Sequence, residues 1–149
     1  MNTLPQNRFK CIFPARSVNE SFARMAASAF VAQLDPRVDE LADLKTAVSE
    51  AVTNVIVHAY AGTEIPPEER VVILCGELRE GRLAVFSVKD RGKGIENIKQ
   101  AREPLFTTSA AEERSGMGFT VMETFTDKIK VTSRPGKGTS VRLYKRFSE

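Results

Sequence analysis

The sequence predicts an α+β fold, a two-layer sandwich with helices on one face of a mixed, mainly antiparallel sheet. Two patterns lead there. Segments with helical apolar spacing, at 17–34, 39–60 and 115–125, share the chain with apolar strand-like runs at 8–15, 71–78, 83–89, 129–133 and 140–144. Four of those runs form pairs closed by turn formers, Arg79-Glu-Gly-Arg82 and Arg134-Pro-Gly-Lys-Gly138, as hairpins are. A length of 149 residues, 42% hydrophobic and 28% charged, fits one domain spanning 1–149 with a core that needs neither disulfides nor structural metal.

In chain order, Phe9, Cys11 and Phe13 alternate with Lys10 and Ile12 in the first strand, which Pro14 ends. Ser17-Val-Asn-Glu20 has the spacing of a capping box, Ser followed three residues later by Glu. The helix it opens carries Phe22, Met25, Ala26, Ala29 and Phe30 as its apolar stripe and breaks at Asp35-Pro36. A second helix runs through Leu41, Leu44, Val48, Ala51, Val52 and Val55 to about Tyr60. Residues 61–70, with Gly62 and Pro66-Pro67, read as a loop. After the first hairpin, residues 95–102 form a short helix. Ser115-Gly-Met-Gly118 opens another, through Phe119, Val121, Met122 and Phe125.

Composition narrows the function. Twenty-two basic and 19 acidic residues leave a net charge of +3 with no dense Lys/Arg block, so charge alone gives no reason to expect direct nucleic-acid binding. Cys11 and Cys75 stand apart without a CxxC or a neighbouring histidine, as small buried strand residues do. Residues 1–11 lack a signal peptide's apolar run, and no stretch reaches the ~18 apolar residues of a membrane span. The expected setting is the cytoplasm, away from membranes.

Chemistry concentrates in three places. Glu50, Asn54 and His58 lie four residues apart, so an unbroken helix points all three from one face, with Val52, Val55, Ile56 and Val57 on the buried side. Asp90-Arg-Gly92-Lys-Gly94 follows an apolar strand. It reads either as a turn or as a carboxylate beside backbone that a ligand can approach. It is not the dinucleotide fingerprint, because Asn97 stands where a third glycine is due. Arg114-Ser-Gly116-Met-Gly118 precedes an apolar helix, where free amides and the helix dipole favour an anion; a loop with an exposed arginine is the other reading. A P-loop is absent, since Gly138 follows Gly136-Lys137, and so is the protein-kinase motif set. His58 is the sole histidine and there is no Gly-x-Ser-x-Gly elbow, which leaves a serine-hydrolase triad without support.

The order of these pieces carries a resemblance. A helix with Glu50 and Asn54, then Asp90-x-Gly-x-Gly94, then Gly116-x-Gly118, then Gly138-Thr139 resembles the GHKL (Bergerat-type) ATP-binding domain of gyrase, heat-shock protein 90, histidine kinases and mismatch-repair ATPases, over about residues 39–144. A closer resemblance covers nearly the whole chain. Asn19-Glu-Ser-Phe-Ala-Arg24, Ala32-Gln-Leu-Asp-Pro36, Ser49-Glu-Ala-Val-Thr-Asn54, Glu103-Pro-Leu-Phe-Thr-Thr108 and Glu113-Arg-Ser-Gly-Met-Gly-Phe119 are similar to the sporulation anti-sigma F factors, small serine kinases of spore-forming bacteria.

The resemblance implies ATP and Mg2+ as cofactors, with Asn54 on the magnesium and Glu50 as general base. It implies Asp90 for the adenine amino group, helped by Gly92, Gly94 and Thr139. It implies a lid made of residues 104–109, with Thr107 and Thr108, and of Arg114, Ser115, Gly116, Met117 and Gly118. There the amides bind phosphate and Arg114 neutralises charge on the transferred group. Implied partners are an RNA polymerase sigma factor, which is silenced, and an anti-anti-sigma factor, which is phosphorylated on serine. Arg24 would contact a partner, residues 8–34 would form the partner and homodimer surface, and His58 would support the site. Arg91 and Lys93 fill variable positions of the Asp-x-Gly-x-Gly box, and the same boxes occur in stress-response anti-sigma kinases. A histidine-kinase catalytic domain is disfavoured, because the one histidine lies in the Asn54 helix and no dimerisation segment is evident. A non-catalytic, nucleotide-shaped binding module stays open.

Overall fold

In a computed structural model of the protein, residues 6–102 and 116–149 are described. Five strands form one sheet: β1 Asn7–Pro14, β2 Val71–Arg79, β3 Leu83–Lys89, β4 Lys128–Arg134 and β5 Gly138–Arg146. Their order is β1-β2-β3-β5-β4, and every pairing is antiparallel, so the expected mixed component is absent among the described residues. The α-helices among the described residues are α1 Asn19–Val31, α2 Val38–Asn54, α3 Ile98–Arg102 and α4 Gly116–Phe125. The helix α2 lies centrally, touching α1, α4, β3 and β5.

Alternation in the strands decides which sheet face the helices cover. Val72, Leu74, Ala84, Phe86, Val88 and Leu143 point inward and are essentially inaccessible to water. They meet Leu44, Val48 and Val52 of α2, Ala27 and Val31 of α1, and Phe119 and Met122 of α4. Burying each larger aliphatic or aromatic side chain stabilises the fold by about 1.5–3 kcal/mol, so this layer, rather than any one polar contact, holds the sandwich together.

Several expectations change here. Val18 is the N-cap of α1 and makes no side-chain cap, so the Ser17/Glu20 capping box does not form. The Glu20 carboxylate is bonded instead by Ser49 and Thr53 of α2 and by Arg24. The buried face of α1 is Ala23, Ala27 and Val31, whereas Phe22 and Met25 are 50% and 62% exposed. Small residues let α1 approach α2 closely, and that rotates the larger apolar side chains outward. Both cysteines are half-buried rather than buried. The short helix begins at Ile98, not at residue 95: Asn97 caps it, its Oδ1 accepting the Gln100 amide at 2.9 Å.

The largest departure is in α2. Regular α-helix stops at Asn54, and Val55–Ala59 continue as a wider π-helical turn. Extra residues in a turn rotate everything that follows about the axis. Val57, expected on the buried side, is accordingly 48% exposed.

Candidate functional site

Three chain segments converge on the end of α2. The first is α2 itself, which keeps Glu50 and Asn54 one regular turn apart on one face. Asn54 is 6% exposed, and its Nδ2 is buried without a hydrogen-bond partner among the described residues. A buried polar atom left unpaired costs about 1–3 kcal/mol, so Nδ2 is a place where water, a ligand or an ion can complete the bonding.

The second segment is the start of α4. A Cβ placed on Gly118 would lie 3.0 Å from Asn54 Nδ2 and 3.2 Å from its Oδ1, so glycine is what lets the helix start approach the carboxamide. Gly116 opens α4. Its N-terminal amides have no intrahelical acceptors and attract an anion. Thr107, Thr108, Arg114 and Ser115 lie outside the described residues, as does the side chain of Met117.

The third segment is the loop after β3. Asp90 is 6% exposed, and its Oδ1 accepts the Gly92 amide at 2.9 Å and the Thr139 amide at 3.3 Å. The Asp90 amide in turn is donated to the Thr139 carbonyl at 2.9 Å. Gly92 and Gly94 also make close contacts within the protein. A Cβ on Gly92 would overlap the Ala59 carbonyl, at the end of the π turn, and one on Gly94 would overlap the Arg134 carbonyl. The loop is thereby pinned between the end of α2 and the β4–β5 turn.

Two residues without a role in the sequence reading organise this region. Ser133 Oγ accepts the Ile95 amide at 2.8 Å, donates to the Gly138 carbonyl at 3.0 Å and lies 2.8 Å from Thr139 Oγ1. Tyr60 is 3% exposed; its hydroxyl donates to the Val71 carbonyl at 2.6 Å and accepts the amides of Val71 and Arg91. A buried tyrosine must satisfy its hydroxyl, which is a signal that something is bonded there, but not what. One serine in a strand gives no such signal.

Glu50 and Arg24 line a common cavity of about 320 Å³ with Lys45, Thr46 and Ser49. Burial, and then the negative charge of Glu20, push the Glu50 carboxyl above its ordinary pKa. Burial would raise Glu20 as well, but hydrogen bonds from Ser49 and Thr53 and the Arg24 guanidinium outweigh it and leave that group below its ordinary value. Arg24 is thus no free helix charge: it bonds Glu20 at 2.5 Å and Ser49 Oγ at 3.4 Å.

The metal question turns on Asn54. Rotating a carboxamide by 180° exchanges its oxygen and nitrogen, so the unpaired position can present an oxygen to a hard cation. Among the described residues no group of three or more His, Cys, Asp or Glu could hold an ion by itself. A single amide oxygen suits magnesium that keeps most of its shell as water and phosphate.

The profile of the family described as "Histidine kinase-like ATPase domain" matches residues 13–145. The chain belongs to the histidine kinase-like ATPase family. Within it, relatives named "Anti-sigma F factor" are similar over nearly their full length. One from Clostridium perfringens (strain SM101 / Type A) is 50% identical over 142 residues, covering 95% of this chain and 98% of the relative. One from Anoxybacillus flavithermus (strain DSM 21510 / WK1) is 47% identical over 144 residues, covering 97% and 95%. The fold matches the RsbU and RsbW domains of a Mycobacterium tuberculosis protein, with a TM-score of 0.69 and 19% identity over 97% of this chain and 34% of that one. It also matches the SiaB-SiaC complex structure from Pseudomonas aeruginosa, with a TM-score of 0.69 and 13% identity over 91% of this chain and 88% of that one.

For a histidine kinase-like ATPase domain, the match reaches further toward the N-terminus than residues 39–144, the span of the coarser sequence resemblance, and takes in α1 with Arg24. The anti-sigma F relatives extend the similarity over the first strand as well. Among the described residues no helix is long and apolar enough to cross a membrane.

Proposed function

We propose that the protein is an anti-sigma factor that binds Mg-ATP and, as a serine kinase, transfers the γ-phosphoryl group to an anti-anti-sigma partner. The observation that carries this reading is the pairing of Glu50 and Asn54 on one face of α2, with the Asn54 carboxamide unpaired against the α4 start. The relatives named "Anti-sigma F factor" support the partner class, and the family description supports the nucleotide.

Each residue then has a task. Asp90, fixed by the amides of Gly92 and Thr139, receives the adenine amino group, with Thr139 held by Ser133 beside it. Asn54 holds magnesium, which screens phosphate charge when bound. The α4 amides at Gly116 and Gly118 are assigned to the phosphates, as are the lid residues Thr107, Thr108, Arg114, Ser115 and Met117. Glu50 accepts the proton of the partner serine as its oxygen bonds to the γ-phosphorus and the bond to ADP breaks. A carboxylate above its ordinary pKa is a stronger base, which suits that task. Arg24 shares the Glu50 cavity and therefore sits where the partner's serine segment must enter.

The partner and homodimer surface is assigned to β1 and α1. Ile12, Val18, Phe22 and Met25, all at least half exposed, give these elements an apolar surface that water disfavours. The setting is the cytoplasm.

The test combines the purified protein, magnesium, γ-labelled ATP and a small anti-anti-sigma protein, with Glu50→Gln alongside. Label on a partner serine, lost with Glu50→Gln while nucleotide binding persists, is the expected result. Hydrolysis without transfer, or transfer that survives Glu50→Gln, would sink the kinase mechanism and leave a nucleotide-dependent binding module.

A further inference from the structure

Among the described residues no helix packs on the sheet face turned away from α1, α2 and α4, and over β3, β5 and β4 that face is cationic. The register fixes which side chains share it: Lys89 pairs with Ser140 and Ser140 with Thr132, while Ser87 pairs with Arg142 and Arg142 with Lys130. Lys128, two residues along β4, and Arg134 at its end point the same way. These three strands contain no Asp or Glu. Glu77 of β2, the one carboxylate within the five strands, is held by Arg79 at 2.8 Å. Lys89, Lys130 and Arg142 make no ion pair among the described residues.

Edge protection explains only part of this. Lysines on an edge strand prevent pairing with other chains, and β4 is an edge. Lys89 and Arg142, however, belong to the central strands β3 and β5 and are half-buried. With Lys130 they wall a cavity of about 430 Å³ to which Thr132 and Ser140 contribute hydroxyls. The whole chain carries only +3, so the concentration of cations here is a segregation of charge rather than a general excess.

We propose that this face docks an acidic polypeptide segment in extended form. An extended chain repeats every two residues, about 7 Å, as β4 does beneath it, so alternate carboxylates can meet Lys128, Lys130 and Arg142 in register. The hydroxyls within the cavity are reached by a single extended chain and not by a duplex, whose width keeps it on the rim. A single-stranded nucleic acid needs aromatic rings for its bases. Tyr144, the aromatic residue on this face of the three strands, already has Lys128 Nζ 5.3 Å from its ring centre. A second copy of the same face is repelled by like charge.

The test uses the full chain and a fluorescein-labelled peptide of about ten residues alternating Glu and Ser. Its affinity is compared with that of a Gln-Ser peptide, single-stranded and duplex oligonucleotides, and phosphatidylglycerol vesicles. Saturable, salt-sensitive binding of the Glu-Ser peptide alone is expected, with amide shifts confined to β3, β5 and β4. Lys130→Glu with Arg142→Gln should weaken it by about tenfold or more at an unchanged melting temperature. Should the double variant fold poorly, exposed Lys130→Glu alone carries the same criterion. Unchanged affinity in a folded variant overturns the proposal. So does tighter binding of an oligonucleotide or vesicle to the same residues, or no peptide binding at all.

Discussion

Gly118 stands so close against Asn54 that a methyl group fits only if the carboxamide gives way by a few tenths of an ångström: a Cβ would come 3.0 Å from Nδ2 and 3.2 Å from Oδ1. Gly118→Ala therefore sets two effects against each other. Alanine favours a helix interior over glycine by about 1 kcal/mol, which roughly offsets the crowding. The melting temperature should change little. The Asn54 carboxamide must move, however, so affinity for a fluorescent ATP analogue in magnesium should fall about tenfold or more. Unaltered nucleotide affinity would remove Asn54 and Gly118 from the site.

Gly92→Ala should act on the fold itself. Its Cβ would overlap the Ala59 carbonyl, and the Lys93 amide already bonds that oxygen at 2.9 Å. Backbone cannot yield as a flexible side chain can, so a loss of about 2–3 kcal/mol is expected. For a chain of this size that lowers the melting temperature by about 5–10 °C. Thermal unfolding followed by circular dichroism checks it, and a melt unchanged within error would mean the loop is not pinned there.

The layers, the hairpins and the central helix were legible in the sequence, because Val72, Leu74, Phe86 and Val88 or Leu44, Val48 and Val52 express their periods directly. The placing of Glu50 and Asn54 one turn apart on a helix, and of Asp90 at a strand end, was legible too, through spacing and order. What was hidden depends on tertiary contact. Glu20 has capping-box spacing, yet three partners from α1 and α2 offer its carboxylate more than one amide could. Nothing in the spacing of Glu50, Asn54 and His58 announces a π turn after Asn54. The glycines at 92 and 94 were noted, but the backbone they approach lies far along the chain. Ser133 carried no local signal at all.

Ser133→Ala removes a hydroxyl that serves the Ile95 amide, the Gly138 carbonyl and Thr139 Oγ1 together. Taking the acceptor away from the Ile95 amide should destabilise the protein by about 1–2 kcal/mol. Thr139 would lose its orientation beside Asp90, and ATP affinity should fall several-fold while Glu50-dependent transfer at saturating ATP persists. Equilibrium denaturation and a nucleotide titration separate the two effects. Weakened folding without any change in nucleotide affinity would confine Ser133 to scaffolding.

Glu20 should set the pH at which Glu50 works. Burial first, and the Glu20 charge second, raise the Glu50 carboxyl, so at lower pH the base is protonated and transfer slows. Glu20→Gln removes the second influence, and the acid limb of the rate profile should move to lower pH. Stability moves with its own sign. Glu20 lies below its ordinary value in the fold, so its contribution is present above the unfolded-state pKa and disappears as pH falls through the folded one. Glu20→Gln should therefore destabilise the protein near neutrality by about 1 kcal/mol, the group being partly exposed, and lose that effect in acid. Glu50 has the opposite sign. Its raised value favours the fold below the unfolded-state pKa and ceases to do so as pH rises through the folded one, so Glu50→Gln should melt slightly higher than the parent at neutral pH. Melting curves across pH, beside the transfer rate in both variants, give four signs to match. An acid limb that stays in place in Glu20→Gln would break the link between the two carboxylates.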